Sequence, residues 1–498
     1  MNDSDDRDNL GSRRQLTLLD TTSIVVGIVI GASIFRSPQL IAMMTGDLGL
    51  YFLAWGLGGA ISLLGSLCFA ELATRYPEHG GAYAYLKRAF GGRASFFFAW
   101  TDFWLVRPGN VGAMALIFAP AFCAAIGKPW DELYVALGVV GAVTVLNMLG
   151  LRFGVWGQNL FTAAKVIGLI LVILIGLGGA MGLFAKESGQ ASVTQGNAVS
   201  ADDAKAVAAE AVAPNTASVA PKQTLMTRFA SFWQAMVFVM FAYGGWSDMA
   251  MVGAEVRDPR KNMFRALIFG AGAVTTIYLL ANIAYFSSLG FSGILASESP
   301  ARDVMSGAFG KVAGRIMSGL ICISCLGAIQ GLIFTGARVQ IAVGRDHRFF
   351  AWLGRWNALT HAPLRALVAQ FFAAVMLLLA AWWRAGRDSS ATNDSFDQMV
   401  VYTGFVYWGS LLAVAAAFMV LRDQDGHAGG YKTPWFPLLS LLFMATMVAM
   451  VYATVRYAFF VKLENGEGVG WFLMALVVFA TGILLGGFGQ KSANRQKE

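Results

Sequence analysis

The sequence predicts an all-α protein that crosses a membrane with about twelve helices, and three observations support this fold class. Hydrophobic residues make up 57% of the chain and charged residues 13%, about half the charged share of a typical soluble domain. Apolar runs recur from Leu16 almost to the end of the 498 residues, and each can cross a hydrocarbon layer about 30 Å thick. The 57 glycines suit helices that pack closely or are interrupted within the membrane.

Twelve apolar runs are predicted as transmembrane helices. They cover residues 17–40, 48–74, 95–126, 133–149, 154–183, 231–254, 263–289, 313–343, 363–383, 398–421, 436–459 and 469–488. Together they form one predicted helical domain, residues 16–490, between two short tails, residues 1–15 and 491–498.

Basic residues fall in alternate short loops between these helices. They are Arg13, Arg14, Arg75, Lys87, Arg88, Arg93, Arg257, Arg260, Lys261, Arg265, Arg345, Arg348, Arg355, Arg422 and Lys432. This positive-inside pattern predicts that both tails are cytoplasmic. It also explains the net charge of +8 without a nucleic-acid partner. No cleavable signal peptide is visible before the first helix, which is expected to act as its own insertion signal.

Two segments between the helices have distinctive compositions. Residues 184–228 are rich in Ala, Ser, Thr, Gln and Asn and cannot bury enough apolar surface to order fully. They are predicted as a long external loop. Residues 344–362 are basic and aromatic, which is typical of a segment at the cytoplasmic membrane interface.

Nothing in the sequence indicates an enzyme, a metal site or a cofactor. The four histidines fall in predicted cytoplasmic loops without metal-ligand spacing, and no nucleotide-binding or hydrolase motif occurs in a suitable context. Cys322 and Cys325 lie three residues apart on one helical face. A metal or redox pair is one interpretation, and small apolar packing residues are the preferred one.

Two helices carry glycines at mid-depth. The first contains Gly27 and Gly31, and the sixth contains Gly244 and Gly245. Each glycine taken alone is a packing device, but interruptions five helices apart match a five-plus-five inverted repeat, in which broken helices form the substrate site. Free N–H groups at such a break attract a carboxylate and free C=O groups attract an ammonium. An α-amino acid carries both charges.

Six motifs connect these features to a known family. They are GASIF at 31–35, AELATRYP at 70–77, RPG at 107–109, FAYGGW at 241–246, EVRDPRKN at 255–262 and YKTP at 431–434. From about Leu16 to Trp435, the chain resembles the L-type amino acid transporter (LAT) group of the amino acid–polyamine–organocation (APC) superfamily.

The resemblance implies a LeuT-type fold, with ten core helices in two inverted repeats, helices 1 and 6 broken, and two further C-terminal helices. It implies sodium-independent transport of amino acids, often by exchange. The substrate-binding positions that it implies are Ile30, Gly31, Ala32, Ser33, Ile34, Phe241, Ala242, Tyr243 and Gly244. Some animal members of the group bond an accessory subunit through a cysteine between helices 3 and 4. The loop from Gly127 to Glu132 has none, so no disulfide-linked partner is expected.

Two departures from the family pattern bear on the substrate. The family motif GSG is GAS here, so Ala32 lacks a hydroxyl that commonly faces the carboxylate and Ser33 adds a side chain. Either Ser33 takes over that hydroxyl role, or the substrate differs. After FAYGGW, the chain has Ser247 and Asp248 where the family has Asn. Asp248 has three open roles: pairing with a cationic substrate, taking a proton, or bonding to a neighbouring helix.

Gating and coupling roles are predicted for Lys165, Gly27, Phe241, Trp246 and Asp248. Lys165 lies deep in helix 5, where an ionisable side chain is a functional hypothesis by default. The resemblance places its ammonium beside the carbonyl groups near Gly27, where related transporters keep a sodium ion. It also implies that Phe241 is an aromatic gate over the substrate, with Trp246 beneath it.

Other charged residues receive structural interpretations. Arg107 either serves the transport pathway or pairs with Asp102, close to one helical turn away, and the pair is the preferred interpretation. Glu71 and Glu255 are assigned to cytoplasmic charge networks with their neighbours Arg75 and Arg257. Arg36, at the top of helix 1, either attracts anionic substrate groups or faces the external vestibule.

The sequence therefore predicts a sodium-independent amino-acid exchanger or facilitator that works by alternating access in the plasma or bacterial inner membrane, surrounded by lipid. Two alternatives remain open. Asp248 would suit a polyamine or cationic amine carrier. The altered GAS motif and the long loop 184–228 leave room for a sensor that binds an amino acid without moving it.

Overall fold

The structure, a computed structural model, describes residues 16–78, 80–181, 225–251, 253–357, 360, 362–384, 391–424, 431–461 and 469–486. Three predicted segments fall wholly or largely outside these ranges: the two tails, 1–15 and 491–498, and the external loop, of which only 225–228 is described.

Fifteen α-helices make up most of the described residues. The first eight are α1 Leu18–Val29, α2 Ser33–Thr45, α3 Leu48–Arg75, α4 Ala82–Phe90, α5 Gly92–Thr101, α6 Arg107–Ile126, α7 Glu132–Met148 and α8 Leu151–Ala180. The others are α9 Leu225–Ala242, α10 Pro259–Ala296, α11 Pro300–Asp346, α12 Leu364–Arg384, α13 Ala391–Gln424, α14 Leu438–Val455 and α15 Val469–Gly486.

The predicted all-α class is confirmed over the described ranges. A helix lies at each of the twelve predicted spans. Within those ranges, nine helical stretches are long and apolar enough to cross a membrane, and two shorter apolar helices accompany them. Within the described residues, Leu16 and Val256 form an isolated β-bridge. This bridge ties the residue before the first helix to the segment that follows the sixth predicted span.

The first predicted break lies between α1 and α2. The side chains of Thr17 and Asp20 cap the start of α1 reciprocally, which satisfies N–H groups that have no intrahelical partner. At the other end, Ile30 has φ −70° and ψ 68°, and the N–H of Gly31 donates to the carbonyl of Val29 at 2.6 Å. These values describe an inverse γ-turn, which ends α1 before α2 begins at Ser33.

The second predicted break follows α9. Gly245 has a φ of 97°, a conformation that residues with a Cβ rarely adopt. A Cβ at this position would also collide with the side chain of Ile28 in α1. The chain then continues as two short 3₁₀ helices, Trp246–Met251 and Gly253–Glu255. The sixth predicted span, 231–254, is therefore half α-helix and half tighter helix.

Several boundaries differ from the prediction. The third span, predicted as one helix over 95–126, is α5 and α6 joined by the π-helical segment Asp102–Val106. The predicted loop between 289 and 313 is helical on both sides of Ser297, and the chain bends at Gly290 and Gly310, whose φ values are 70° and 78°. These glycines stand where the apolar runs stop, which is why the sequence placed the helix ends there.

The long helix α11 positions the centre of the protein. It packs against α6, α8 and α1, while α10 packs against α3, α8 and α1. The two interrupted spans lie between these helices, and most of the side chains of α1 and of the end of α9 are buried. The breaks therefore face each other inside the helical bundle.

Candidate functional site

A cavity of about 40 Å³ lies where the two breaks meet. Gly31 and Ser33 line it from the first break, and Phe241, Gly244 and Gly245 line it from the second. Its other walls are Ile28, Val29, Asn110, Met114, Ala328, Leu332 and Tyr407. All these described lining residues are uncharged, so any charge that the cavity holds meets backbone dipoles and neutral polar groups.

The first turn of α2 supplies donors to this cavity. The N–H groups at the start of a helix have no intrahelical acceptor, and Ala32, the N-cap residue, forms no side-chain cap. The side chain of Ser33 is 2% exposed and lines the cavity. This end of α2 therefore has the geometry of an anion-binding helix terminus.

Tyr278 of α10 joins the two breaks directly. Its hydroxyl lies 2.7 Å from the carbonyl oxygen of Val29 and 3.2 Å from that of Ala242. These are the last residues of α1 and α9, where carbonyl groups lose their helical partners. One buried side chain thus holds the carboxyl ends of both broken helices in a fixed relation.

Two further side chains complete the breaks. The N–H of Gly245 donates to the hydroxyl of Tyr407 at 3.3 Å, and the hydroxyl of Ser324 donates to the carbonyl of Ile30 at 3.3 Å. Both lie on helices that pack around the cavity, α13 and α11. Sequence reasoning missed Tyr278, Tyr407 and Ser324, since a hydroxyl within an apolar run does not by itself reveal its partner.

The structure separates the nine predicted substrate-binding residues into two groups. Gly31, Ser33, Phe241 and Gly244 line the cavity. The side chains of the other five are packed elsewhere: those of Ile30, Ala32, Ile34, Ala242 and Tyr243 are buried and outside the described lining. Tyr243, for example, packs on Trp55 and Tyr278 with ring centroids 6.0 and 5.1 Å apart.

An aromatic pair closes the cavity on the side away from Leu16. Phe241 contacts Phe396 of α13 edge to face, with ring centroids 5.9 Å apart. Phe241 lines the central cavity, whereas Phe396 lines a second cavity beyond it. The two rings therefore lie between the two cavities, and Phe396 is a partner that the sequence did not reveal. The gating role of Phe241 stays a prediction.

The indole of Trp246 does not lie beneath Phe241, where it was predicted. Its indole is 1% exposed and packs on Phe69 and Phe443, with ring centroids 5.1 and 6.3 Å away. The absence of a side chain at Gly65 makes room for it. Trp246 is turned away from the cavity because its 3₁₀ helix directs it toward α3 and α14.

Lys165 reaches the backbone of α1. Its ammonium donates to the carbonyl oxygen of Gly27 at 2.6 Å, the contact that the resemblance implies. A Cβ at Gly327 of α11 would lie 2.8 Å from the same nitrogen. The ammonium is thus enclosed between α1, α8 and α11, and the side chain is 1% exposed. Gly27 allows the close approach, since a Cβ there would collide with Gln158 and Thr162.

Asp248 belongs to a buried ion pair. The guanidinium of Arg107 donates to its carboxylate at 2.7 and 3.3 Å, and to Asp102 at 3.5 Å. The predicted pair of Asp102 and Arg107 is therefore present, but its geometry is looser than that of the pair with Asp248. Of the three roles open for Asp248, the structure supports bonding to a neighbouring helix.

Glu71 and Glu255 each pair with an arginine from a helix distant in sequence. Glu71 lies 3.4 Å from Arg75, as predicted, and 2.8 Å from Arg422. Glu255 pairs with Arg338 of α11 at 2.9 Å. The sequence predicted networks with the chain neighbours Arg75 and Arg257 and missed these two long-range partners.

The remaining predictions concern cysteines and metals. Cys322 and Cys325 are both buried and unbridged, and Cys123 lies in α6 as predicted. Over the described residues, no group of histidine, cysteine and carboxylate side chains has the geometry of a metal site. Three histidines, His79, His361 and His427, lie outside the described residues.

Comparison with known proteins agrees with this architecture. The chain matches the family model described as amino acid permease over residues 16–485. It is 24% identical to the serine/threonine exchanger SteT of Bacillus subtilis, over 87% of this chain and 90% of the relative. It is 27% identical to the large neutral amino acids transporter small subunit 2 of Homo sapiens, over 88% of this chain and 75% of the relative.

A third relative is the b(0,+)-type amino acid transporter 1 of Mus musculus, with 27% identity over 74% of this chain and 70% of the relative. The family match spans both breaks and every helix that surrounds them. It implies the LeuT-type fold, with the broken helices at the first and sixth positions. The chain is a multi-pass membrane protein that belongs to the amino acid permease family.

Proposed function

We propose that this chain is a secondary transporter that exchanges neutral amino acids across the membrane by alternating access. The observation that carries the proposal is the cavity between the two broken helices, which is lined by residues of both breaks. The N–H groups at the start of a helix and the C=O groups at its end lack intrahelical partners. This pairing of opposite partial charges matches the two charges of an amino acid. The relatives named above as amino acid exchangers and transporters support the same function.

The substrate carboxylate is placed at the start of α2, against the N–H groups near Ser33 and its hydroxyl. The ammonium is placed at the carboxyl end of α9. The carbonyl oxygen of Val29 at the end of α1 already accepts from both Gly31 and Tyr278. The carbonyl oxygen of Ala242 accepts from Tyr278 and has a second lone pair for a further donor. The substrate side chain then points toward Met114, Ala328 and Phe241.

The buried ion pair favours a neutral substrate over a polyamine or cationic amine. Asp248 is bound by Arg107 through two hydrogen bonds, so its charge is already balanced. It also lies outside the described cavity lining. A cationic substrate would have to displace a buried guanidinium, which would leave a charge uncompensated.

Lys165 supports sodium independence. Its ammonium occupies the space between α1, α8 and α11 where the resemblance places a sodium ion in related transporters. Two cations at one site would repel each other. Uptake that stops when choline replaces sodium would contradict this part of the proposal.

The orientation follows from the charge pattern. We place the protein in the plasma membrane or the bacterial inner membrane. Both tails are placed in the cytoplasm, because the basic loops then face inward. No disulfide-linked accessory subunit is proposed, since Cys123 lies within α6 and the loop Gly127–Glu132 has no cysteine. A heterodimer that dissociates on reduction would contradict this.

Exchange in proteoliposomes tests the function. Purified protein is reconstituted into vesicles loaded with unlabelled amino acid, and the uptake of a labelled panel is measured: L-serine, L-threonine, L-alanine, L-leucine, L-arginine and putrescine. Uptake of neutral amino acids that depends on internal amino acid is expected. Preferred uptake of putrescine or arginine would establish the cationic alternative instead. Binding without flux would identify a sensor.

A further inference from the structure

A second cavity lies beyond the aromatic pair Phe241–Phe396, toward the side of the membrane opposite Leu16. It has a volume of about 190 Å³, and Phe35 and Phe396 form part of its floor. Its walls come from the end of α6, the start of α7 and the turn between α10 and α11. We call it the outer cavity.

The outer cavity is lined by two charges of each sign. Arg36 and Arg302 supply guanidinium groups, while Glu132 and Glu298 supply carboxylates. The central cavity differs in this respect, since its described lining is uncharged. A ligand of one charge sign would be repelled by half of these side chains, whereas a zwitterion places each of its charges against an opposite one.

Over the described residues, the four charged side chains of the outer cavity form no ion pairs with one another. Arg36 donates to the neutral amide of Gln39 at 3.2 Å, and Arg302 has a loose contact of 3.4 Å with Asp303. Within the described part of the chain, no ion pair involves Glu132 or Glu298. The cavity therefore presents donors and acceptors whose hydrogen bonds remain available.

The sizes of the two cavities point the same way. One water molecule needs about 10–15 Å³ by this measure, so the central cavity of about 40 Å³ holds roughly three water-sized groups. The outer cavity holds roughly a dozen. An amino acid such as serine, with seven non-hydrogen atoms, fits the outer cavity in the observed conformation. It enters the central one only after the surrounding helices move apart.

We propose that the outer cavity is a second binding site for the transported amino acid, with the carboxylate on Arg36 or Arg302 and the ammonium on Glu132 or Glu298. This inference rests on the proposed function and adds a waiting position outside the aromatic pair. An amino acid held there is desolvated in part and oriented before the pair opens. Two molecules of one substrate then bind to each chain.

Equilibrium dialysis of the purified chain in lipid nanodiscs tests the stoichiometry. The probe is the labelled amino acid of the panel that is exchanged fastest. Two molecules bound per chain at saturation are expected. The double variant Arg36→Gln/Glu298→Gln removes one charge of each sign from the outer cavity and should reduce the stoichiometry to one. If this variant does not fold, Arg302→Gln/Glu132→Gln makes the same test with the other two side chains.

Ala328→Leu provides the complementary variant. Its larger side chain fills the central cavity, so one molecule should remain bound, and that molecule should be lost when the outer charges are also removed. Arg315→Gln, which removes an exposed arginine outside the described lining, is the matched control and should retain both molecules.

The outcomes separate the two proposals. A single molecule bound to the unmodified chain, with exchange intact, overturns the second site and leaves the proposed function standing. Two molecules that persist in both outer double variants also overturn it. Absence of both binding and exchange for the whole panel overturns the proposed function and this inference together.

Discussion

The hydroxyl of Ser33 is a side-chain donor in the lining of the central cavity, at the break where the substrate carboxylate is placed. In a water-poor cavity, a hydrogen bond to a charged acceptor contributes about 1.5–3 kcal/mol. Ser33→Ala removes the hydroxyl and preserves the shape of the side chain. We expect the affinity for the fastest exchanged amino acid to fall about tenfold or more, because each 1.4 kcal/mol is a factor of ten.

Ser37→Ala is the control for this substitution. Ser37 lies one turn further along α2, is fully buried and has no hydrogen-bond partner for its hydroxyl. It lies outside the described cavity lining. Its substitution should leave the affinity unchanged in the same binding titration. Equal affinities in the Ser33 and Ser37 variants would assign the carboxylate to backbone groups alone.

Lys165 contributes a charged hydrogen bond between α8 and α1. Lys165→Met keeps a similar chain length but leaves the carbonyl of Gly27 without its donor. The charged bond is worth about 1.5–3 kcal/mol, so we expect the rate of exchange in proteoliposomes to fall about tenfold or more. Sodium should not restore it, because the methionine side chain supplies no ligand.

Thr162→Val serves as the matched variant on the same helix. The hydroxyl of Thr162 donates to the carbonyl of Ser23 at 3.1 Å, so it also joins α8 to α1, through a neutral bond of about 0.5–1.5 kcal/mol. The rate should fall less than in Lys165→Met. Equal losses in the two variants would show that the charge of Lys165 has no special role.

Among single residues, the sequence predicted the contact of Lys165, which follows from its depth in the membrane. It missed contacts between side chains that lie on helices far apart in the chain. Lys165 stands out because a lysine in the middle of an apolar run needs a partner, and the resemblance gave its direction. Asp248 and Arg107 are 141 positions apart, and a sequence alone does not show which of two carboxylates a buried arginine prefers. Phe396 and Tyr278 were missed because aromatic residues are common in membrane helices.

Several elements are held together by the buried charges of Arg107, Asp248 and Asp102. Arg107 starts α6, Asp248 lies on the 3₁₀ helix after the second break, and Thr335 of α11 lies 3.2 Å from the guanidinium. Breaking one partner of such a pair costs about 3–5 kcal/mol, whereas replacing both with apolar residues costs much less. The pair therefore holds the 3₁₀ helix Trp246–Met251 against α6.

A double-mutant cycle on thermal unfolding in detergent measures how strongly Arg107 and Asp248 stabilise the protein through each other. Asp248→Leu should lower the unfolding temperature markedly, and Arg107→Met should do the same. The double variant Arg107→Met/Asp248→Leu should be more stable than either single variant. Additive decreases in the unfolding temperature would mean that the two side chains act independently, and would contradict a stabilising role for the pair.

At the scale of elements, the sequence predicted breaks where glycine is required by geometry. Gly245 is the clear case, since its φ of 97° and its contact with Ile28 both exclude a side chain. The short helices on either side of Ser297 were missed because they are too short for a periodic pattern. The π-helical segment Asp102–Val106 has no recognised sequence signal and was read as ordinary helix.

For the whole molecule, the order of the cavities defines a path: outer cavity, aromatic pair, central cavity, and then the buried ion pair of Arg107 and Asp248. The end of the path beyond this ion pair is closed by further contacts. Tyr83 and Lys87 of α4 both bind Asp346 at the end of α11, at 2.7 Å. Burial and the carboxylate of Asp346 raise the pKa of Tyr83, so its hydroxyl remains a neutral donor. The described conformation is therefore closed on both sides of the central cavity.

The aromatic pair Phe241–Phe396 should control access from the outer side. An edge-to-face pair contributes about 0.5–1.5 kcal/mol beyond its buried area, so Phe396→Ala should raise the population of conformations open to the outer cavity by up to about tenfold. The readout is the rate at which a membrane-impermeant thiol reagent modifies Ala328→Cys in a background without the four native cysteines. We expect faster modification when Phe396→Ala is added.

Phe372→Ala is the control, because Phe372 is 64% exposed on the outside of the helical bundle and lies outside the described lining of both the outer and the central cavity. It should leave the rate of modification unchanged. Saturating amino acid should slow modification in the parent and in the control, since a bound substrate covers Ala328. If Phe396→Ala leaves the rate unaltered while exchange continues, substrate reaches the central cavity by another opening, and the aromatic pair is packing and not a gate.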